Sequence, residues 1–186
     1  MKNAAILIIF ILLGAILTLW LDNASPPEIK SVPITAQERV PLSHLPDFEI
    51  TDINGKLFRT SENRGEKLIL NFWATWCAPC VVEFPKLVKL AKDNPEITIL
   101  FLSSDTNQEA ISRFLEKQSP ETKETLRNKN IIVAKDNKGK ITADIFQTYK
   151  LPETLIISST GTLAHKIVGD TDWNGEEIKS ILRDLD

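Results

Sequence analysis

The chain holds only two cysteines, Cys77 and Cys80, three residues apart at the junction of two very different stretches of sequence. Before them runs Leu68–Trp73 (LILNFW), a near-continuous apolar run of the kind expected for a strand buried on both faces. After them a helical stretch continues to about Asp93, with Pro85 inside it and therefore a kink or offset there. A buried strand that hands a Cys-x-x-Cys pair to the start of a helix calls for an α/β plan. It excludes a disulfide scaffold, which needs several separated cysteine pairs.

The rest of the chain fits that plan. Residues 46–59 (PDFEITDINGKLFR) alternate apolar and polar about Asn54-Gly55, the strongest short hairpin signal. Ile97–Leu102 reads as a second buried strand, and residues 107–118 place Ile111, Phe114 and Leu115 at helical spacing. A polar stretch over 119–130 leads to a short strand at Ile131–Ala134, and a helix is expected over about 141–149, ending before Leu151-Pro152. Strands at Thr154–Ile157 and Leu163–Val168 flank a turn at Ser158–Thr162, and an amphipathic helix closes the chain from about Asn174 to Leu185. The order predicts a central mixed β-sheet flanked by helices, with an N-terminal β-hairpin extension. A hydrophobic share of 42% supplies enough apolar material for one core. A formal charge of -3 leaves no basic footprint for nucleic acid.

The N-terminus points to a compartment. Ala4–Leu21 carries no charge, and its 18 residues would cover roughly 27 Å as a helix, close to the hydrocarbon thickness of a bilayer. A cleaved signal peptide is the competing reading. Its nearest cleavage point, after Ala24, has Asp22 where a small residue is wanted, and no lipid-acceptor cysteine follows. Residues 1–22 are therefore expected to be an uncleaved anchor. Lys2 precedes the run and Asp22 follows it, which places the remainder outside the cytoplasm. Residues 23–45, rich in proline and without periodicity, read as a tether reaching up to about 70 Å. Residues 46–186 form the expected folded domain.

The chemistry lies in Trp76-Cys77-Ala78-Pro79-Cys80. At a helix N-terminus the orphan N–H groups and the dipole favour an anion, so Cys77 is expected on the exposed rim as the nucleophilic thiolate. Cys80, one helical turn deeper, would resolve the mixed disulfide. Pro79 suits the first turn, where its missing N–H costs nothing, and Trp76 can shield the pair on one side. A zinc site is the chief alternative, but zinc wants four ligands and only His44 and His165 are on offer. Copper handling is another, yet no methionine flanks the pair. The residues call for neither a metal nor a cofactor.

Phe72-Trp73-Ala74-Thr75-Trp76-Cys77-Ala78-Pro79-Cys80 resembles the thioredoxin superfamily, and the details resemble its extracytoplasmic TlpA/ResA/CcmG group. Supporting features are the opening Phe48–Lys56, the core Asn71–Cys80, Glu83 and Pro85 after the cysteines, and Leu151-Pro152-Glu153-Thr154. The resemblance implies a thioredoxin-like fold, redox-active Cys77 and Cys80, and a cis Pro152 facing them. It implies that Trp76 and Leu151 meet the substrate, Leu151 through its backbone. It also implies disulfide-containing protein clients, apocytochrome c among them, and a membrane thiol donor of the DsbD or CcdA type.

Two departures from cytoplasmic thioredoxins and their relatives matter. Asn71 stands where cytoplasmic thioredoxins carry a buried aspartate, and asparagine cannot accept a proton from Cys80. Glu83 and Glu153 are the candidate proton acceptors, although Glu83 reads first as a solvated acid early in a helix. Ala78 stands where some ResA-type proteins carry an acid. A peroxidase of the peroxiredoxin type would want a threonine where this chain has Ala74. With no histidine between the cysteines, a potential below roughly −200 mV is expected, on the reducing side of DsbA-like oxidants.

Overall fold

The computed structural model describes residues 43–185. The expected anchor over residues 1–22, and the tether before Ser43, lie outside the described residues.

The apolar run before the cysteines forms β3 (Lys67–Trp73), buried from Leu68 onward. β4 (Ile97–Ser103), buried throughout, lies parallel to it with Asn71 opposite Phe101. β5 (Ile131–Lys135) extends the parallel half beyond β4. On the other side β6 (Glu153–Ile157) runs antiparallel to β3, and β7 (Leu163–Val168) antiparallel to β6. The sheet order is β5-β4-β3-β6-β7, mixed as expected, with β3 at the centre. A strand flanked on both sides has both faces to bury, which is why its sequence is apolar without alternation.

Strand parity sorts β3 between two cores. Ile69 and Trp73 meet α1 (Ala78–Asp93), α2 (Gln108–Glu116) and α4 (Glu176–Arg183) through Phe84, Leu87, Ile111, Ile178 and Leu182. Leu68, Leu70 and Phe72 face the opposite way, against Ile50, Ile141 and Phe146. The hairpin extension, β1 (Glu49–Thr51) with β2 (Leu57–Arg59), forms a separate two-stranded sheet on that side. Its turn is organised by Asp52 Oδ1, which accepts from the backbone N–H groups of Asn54 at 2.8 Å and Lys56 at 2.7 Å. Gly55 takes φ 86° there, a conformation that costs glycine no steric clash. Ile53 N–H then donates to the Val133 carbonyl at 2.9 Å, which ties the hairpin tip to the edge strand.

Three segments differ from expectation. The polar stretch 119–130 contains a further helix, α3 (Pro120–Thr125). Ser119 caps it by accepting from Thr122 N–H, and Pro120 sits in the first turn, where it needs no donor. The helix expected over 141–149 is instead a series of turns. Asp136 draws the Ile141 and Thr142 N–H groups to its carboxylate, while Lys138 and Gly139 take left-handed backbone angles. Phe146 N–H then bonds to the Ile141 carbonyl, five residues back, so no regular ladder develops. Ser43–Leu45, inside the expected tether, pair with the β6–β7 turn: Leu45 N–H donates to the Gly161 carbonyl at 2.8 Å and Leu163 N–H to the Ser43 carbonyl at 2.9 Å.

Candidate active site

Cys77 is the N-cap residue of α1, Ala78 begins the helix, and Pro79 occupies its first turn. The first helical bond runs from Val81 N–H to the Cys77 carbonyl at 3.1 Å. Cys77 and Cys80 are joined by a disulfide of 2.07 Å, with their Cα atoms 5.3 Å apart. Cys80 is 1% exposed and Cys77 7%. The expectation of Cys77 on an open rim is thus corrected: the pair is buried, and what access there is falls on Cys77. Trp76 beside it is 69% exposed, so most of its ring stands in solvent.

The loop between β3 and α1 is fixed by a residue that the sequence reading did not single out. Asp105, buried just past the end of β4, accepts from Thr75 N–H at 2.9 Å and from Thr75 Oγ1 at 2.7 Å. Its Oδ2 also accepts from Ser103 Oγ at 2.7 Å. Ser104 N–H donates to the Trp73 carbonyl at 2.9 Å, and Cys77 N–H to the Ala74 carbonyl at 3.2 Å. Ala74 through Cys77 are held at both ends. The available signal was an acid at the carboxyl end of a parallel strand, the edge at which open α/β sheets place their sites.

The Leu151–Pro152 peptide is cis. Phe72 lies opposite Glu153, so Pro152 sits one step further along β6, at the level where β3 gives way to the cysteine loop. The Pro152 carbonyl accepts from Gly169 N–H at 2.9 Å, and Leu151 is partly buried against both cores.

The two candidate acids occupy different faces of the sheet. Glu83, three residues beyond Cys80 on α1, is wholly buried, which corrects its reading as a solvated acid. Residues so spaced share a helix face. Asn71 Nδ2 donates to Glu83 Oε1 at 2.9 Å and to Thr154 Oγ1 at the same distance. Trp173 Nε1 donates to Glu83 Oε2 at 3.2 Å. Burial raises the Glu83 pKa above the ordinary carboxylate value, with Asp170 adding to the rise, while the two hydrogen bonds and Lys86 oppose it. Glu153, opposite Phe72, faces the other core. It accepts from Thr148 Oγ1 and pairs with Lys166 Nζ at 2.9 Å. Asn71 and Thr154 carry no ionisable group, and the other buried acid near the cysteine loop, Asp105, is taken up by Thr75 and Ser103, which leaves Glu83, on the cysteine helix itself, as the candidate acceptor.

Among the described residues no group of three or more His, Cys, Asp or Glu is arranged to hold a metal ion. His165 is exposed on β7 and His44 bridges to Thr162, both away from the cysteines in the fold.

The redoxin family model matches residues 42–185. A thiol:disulfide interchange protein DsbE of Vibrio cholerae is 32% identical over 130 residues, 69% of this chain and 65% of its own length. A thiol-disulfide oxidoreductase ResA of Bacillus cereus is 29% identical over 67% of this chain and 68% of its own. A DsbE of Pseudomonas aeruginosa is 29% identical over 92% and 88% respectively. Among solved structures, MTB dsbF in mixed oxidized and reduced forms superposes with a TM-score of 0.63 at 22% identity, covering 75% of this chain and 95% of its own. StoA from Bacillus subtilis gives 0.58 at 21% identity, covering 74% and 96%. At those identities the structures speak for the thioredoxin-like fold alone.

Proposed function

The chain belongs to the redoxin family, among thiol–disulfide oxidoreductases of the DsbE and ResA type, and on that footing we propose that it reduces disulfides in proteins exported from the cytoplasm. The observation that carries this reading is the pair Cys77–Cys80 at the head of α1, with a buried acid one helical turn further in.

In the reduced form the Cys77 thiolate, favoured by the helix N-terminus, attacks one sulfur of a client disulfide. The client S–S bond breaks, a client thiolate leaves, and a Cys77–client mixed disulfide forms. Cys80 passes its proton to Glu83 and attacks the Cys77 sulfur. The second client thiolate departs, and two electrons have moved to the client. Trp76 and the backbone of Leu151, beside Pro152, hold the client segment alongside the pair. The resulting Cys77–Cys80 disulfide is recharged by the reverse exchange with a membrane dithiol of the DsbD or CcdA type.

Placement outside the cytoplasm, on a single-span anchor, is supported by the uncharged run Ala4–Leu21 with Lys2 before it. Apocytochrome c as a client is supported by the resemblance to the group that serves cytochrome c maturation. The reducing direction is supported by Ala78-Pro79 between the cysteines, where no cation stabilises the thiolate.

The test is to incubate the reduced full chain with an oxidised Cys-x-x-Cys-His peptide at a poise of about −200 mV. One peptide disulfide should be lost for each Cys77–Cys80 bond formed, and Cys77→Ser should abolish the exchange. A reduced chain that leaves the peptide oxidised at that poise overturns the reducing direction.

A further inference from the structure

Trp173 lies 90 residues beyond Glu83 in sequence and belongs to no motif, yet its indole N–H ends on the Glu83 carboxylate at 3.2 Å. Packing alone does not demand that bond. Trp73, equally buried in the same core, has no hydrogen-bond partner for its Nε1 among the described residues. The Trp173 ring is instead aimed by a tight turn in which Trp173 N–H donates to the Thr171 carbonyl and Gly175 N–H to the Asp172 carbonyl. A Cβ at Gly175 would stand 3.1 Å from that Asp172 carbonyl oxygen, so the turn is closely packed.

Glu83 is thereby clamped from two elements, Asn71 of β3 on one oxygen and Trp173 on the other. Each oxygen of a carboxylate has two acceptor positions, so both bonds leave room for an incoming proton. Cys80 and Glu83 are both buried on α1 three residues apart, on one face of the helix, which makes Glu83 the protein group placed to take a proton from Cys80. The charged groups facing Glu83 are Asp170, after β7, and Lys86 on its own helix, and these two pair with each other at 3.5 Å.

We propose that Trp173 is a positioning residue for the exchange reaction: its N–H holds the Glu83 carboxylate towards Cys80 and sets the pH at which Cys80 is freed to close the mixed disulfide. The inference rests on the reading of Glu83 as the acceptor of the Cys80 proton. The step balances: Cys80 Sγ–H breaks, the proton goes to Glu83, Cys80 Sγ–Cys77 Sγ forms and Cys77 Sγ–client sulfur breaks, with the electron pair leaving on the client thiolate.

Trp173→Phe keeps most of the ring and deletes the donor. In the full chain, held in detergent, decay of a mixed disulfide with a model peptide is followed by acid quench across pH 5 to 9. A carboxylate that loses a hydrogen bond binds its proton more tightly. The midpoint of the rate profile should therefore move to higher pH, with resolution slowed about tenfold below it and not slowed above it. Uniform slowing at every pH, or an unmoved midpoint, overturns the inference. Glu83→Gln separates the two levels. It should flatten the profile, and adding Trp173→Phe to it should then leave the profile unchanged. If Glu83→Gln flattens the profile but Trp173→Phe does not move it, the role of Glu83 stands and that of Trp173 falls. If Glu83→Gln leaves the profile as it was, both fall. Should Trp173→Phe not fold, the assigned indole N–H resonance of Trp173 in the reduced wild-type chain gives the answer. It should titrate with the midpoint of the resolution step, and a resonance flat across that range overturns the proposal.

Discussion

Thr75 and Asp105 grip each other twice, backbone N–H to Oδ2 at 2.9 Å and Oγ1 to Oδ1 at 2.7 Å, and so tie the loop that carries the cysteines to the end of β4. Asp105→Ala removes both bonds and the one from Ser103, leaving a partly buried N–H without a partner. It should lower the unfolding free energy by about 2 kcal/mol, the cost of stranding such a group. Asp105→Asn should restore most of that, because its oxygen can face Thr75 N–H and its amide can donate to Thr75 Oγ1. Urea titrations of the three proteins check this, and a Thr75–Asp105 pair that matters only through charge would leave Asn as poor as Ala.

Glu83 links stability to pH. Its native pKa is raised by burial, so the folded protein holds the proton over a range in which the unfolded chain has released it. Its contribution to stability is therefore full below the ordinary carboxylate value and is lost as pH rises through the native one. Glu83→Gln cannot titrate. A flip of the Asn71 amide turns its oxygen towards the new donor, while Thr154 Oγ1 becomes the donor to Asn71. Denaturation of both proteins from pH 4 to pH 8 should show the variant gaining on the wild type as pH rises, then a plateau. A difference that stays constant across the range contradicts the assignment.

Trp76, so widely exposed, contributes little to the core. Trp76→Ala should change the unfolding free energy by less than about 0.5 kcal/mol while weakening exchange with a protein client more than with a small disulfide. Parallel kinetics with the two substrates read the difference. Equal losses with both would place Trp76 in support of the loop rather than in contact with clients.

Much of this molecule was legible in its sequence because local pattern and fold agree around the cysteines. The apolar run 68–73, the Cys-x-x-Cys pair and the Pro79 helix start each point to the same strand–helix junction, and β3 with α1 follow them closely. What was not legible depends on partners far along the chain. Glu83 reads as an ordinary helix acid until Asn71 and Trp173 are brought to it. Glu153 sits beside the cis proline in sequence, but strand register sends it to the far face, and no local pattern records that register. The helix expected over 141–149 fails because Asp136, outside the window that suggested it, captures its first N–H groups. The Ser119-Pro120 start of α3 carries readable capping chemistry, but the six residues of the helix show no apolar stripe to mark it.

In the proposed exchange Cys77 attacks and Cys80 resolves. The most direct measurement is to replace each cysteine in turn in the full chain, expose both variants to the same disulfide-bonded client, and weigh the covalent products. Cys80→Ser should accumulate a mixed disulfide through Cys77, because attack survives and resolution is lost, while Cys77→Ser should accumulate none. A Cys77→Ser protein that traps the client through Cys80, with Cys80→Ser inert, would reverse the roles and contradict the account of the helix terminus.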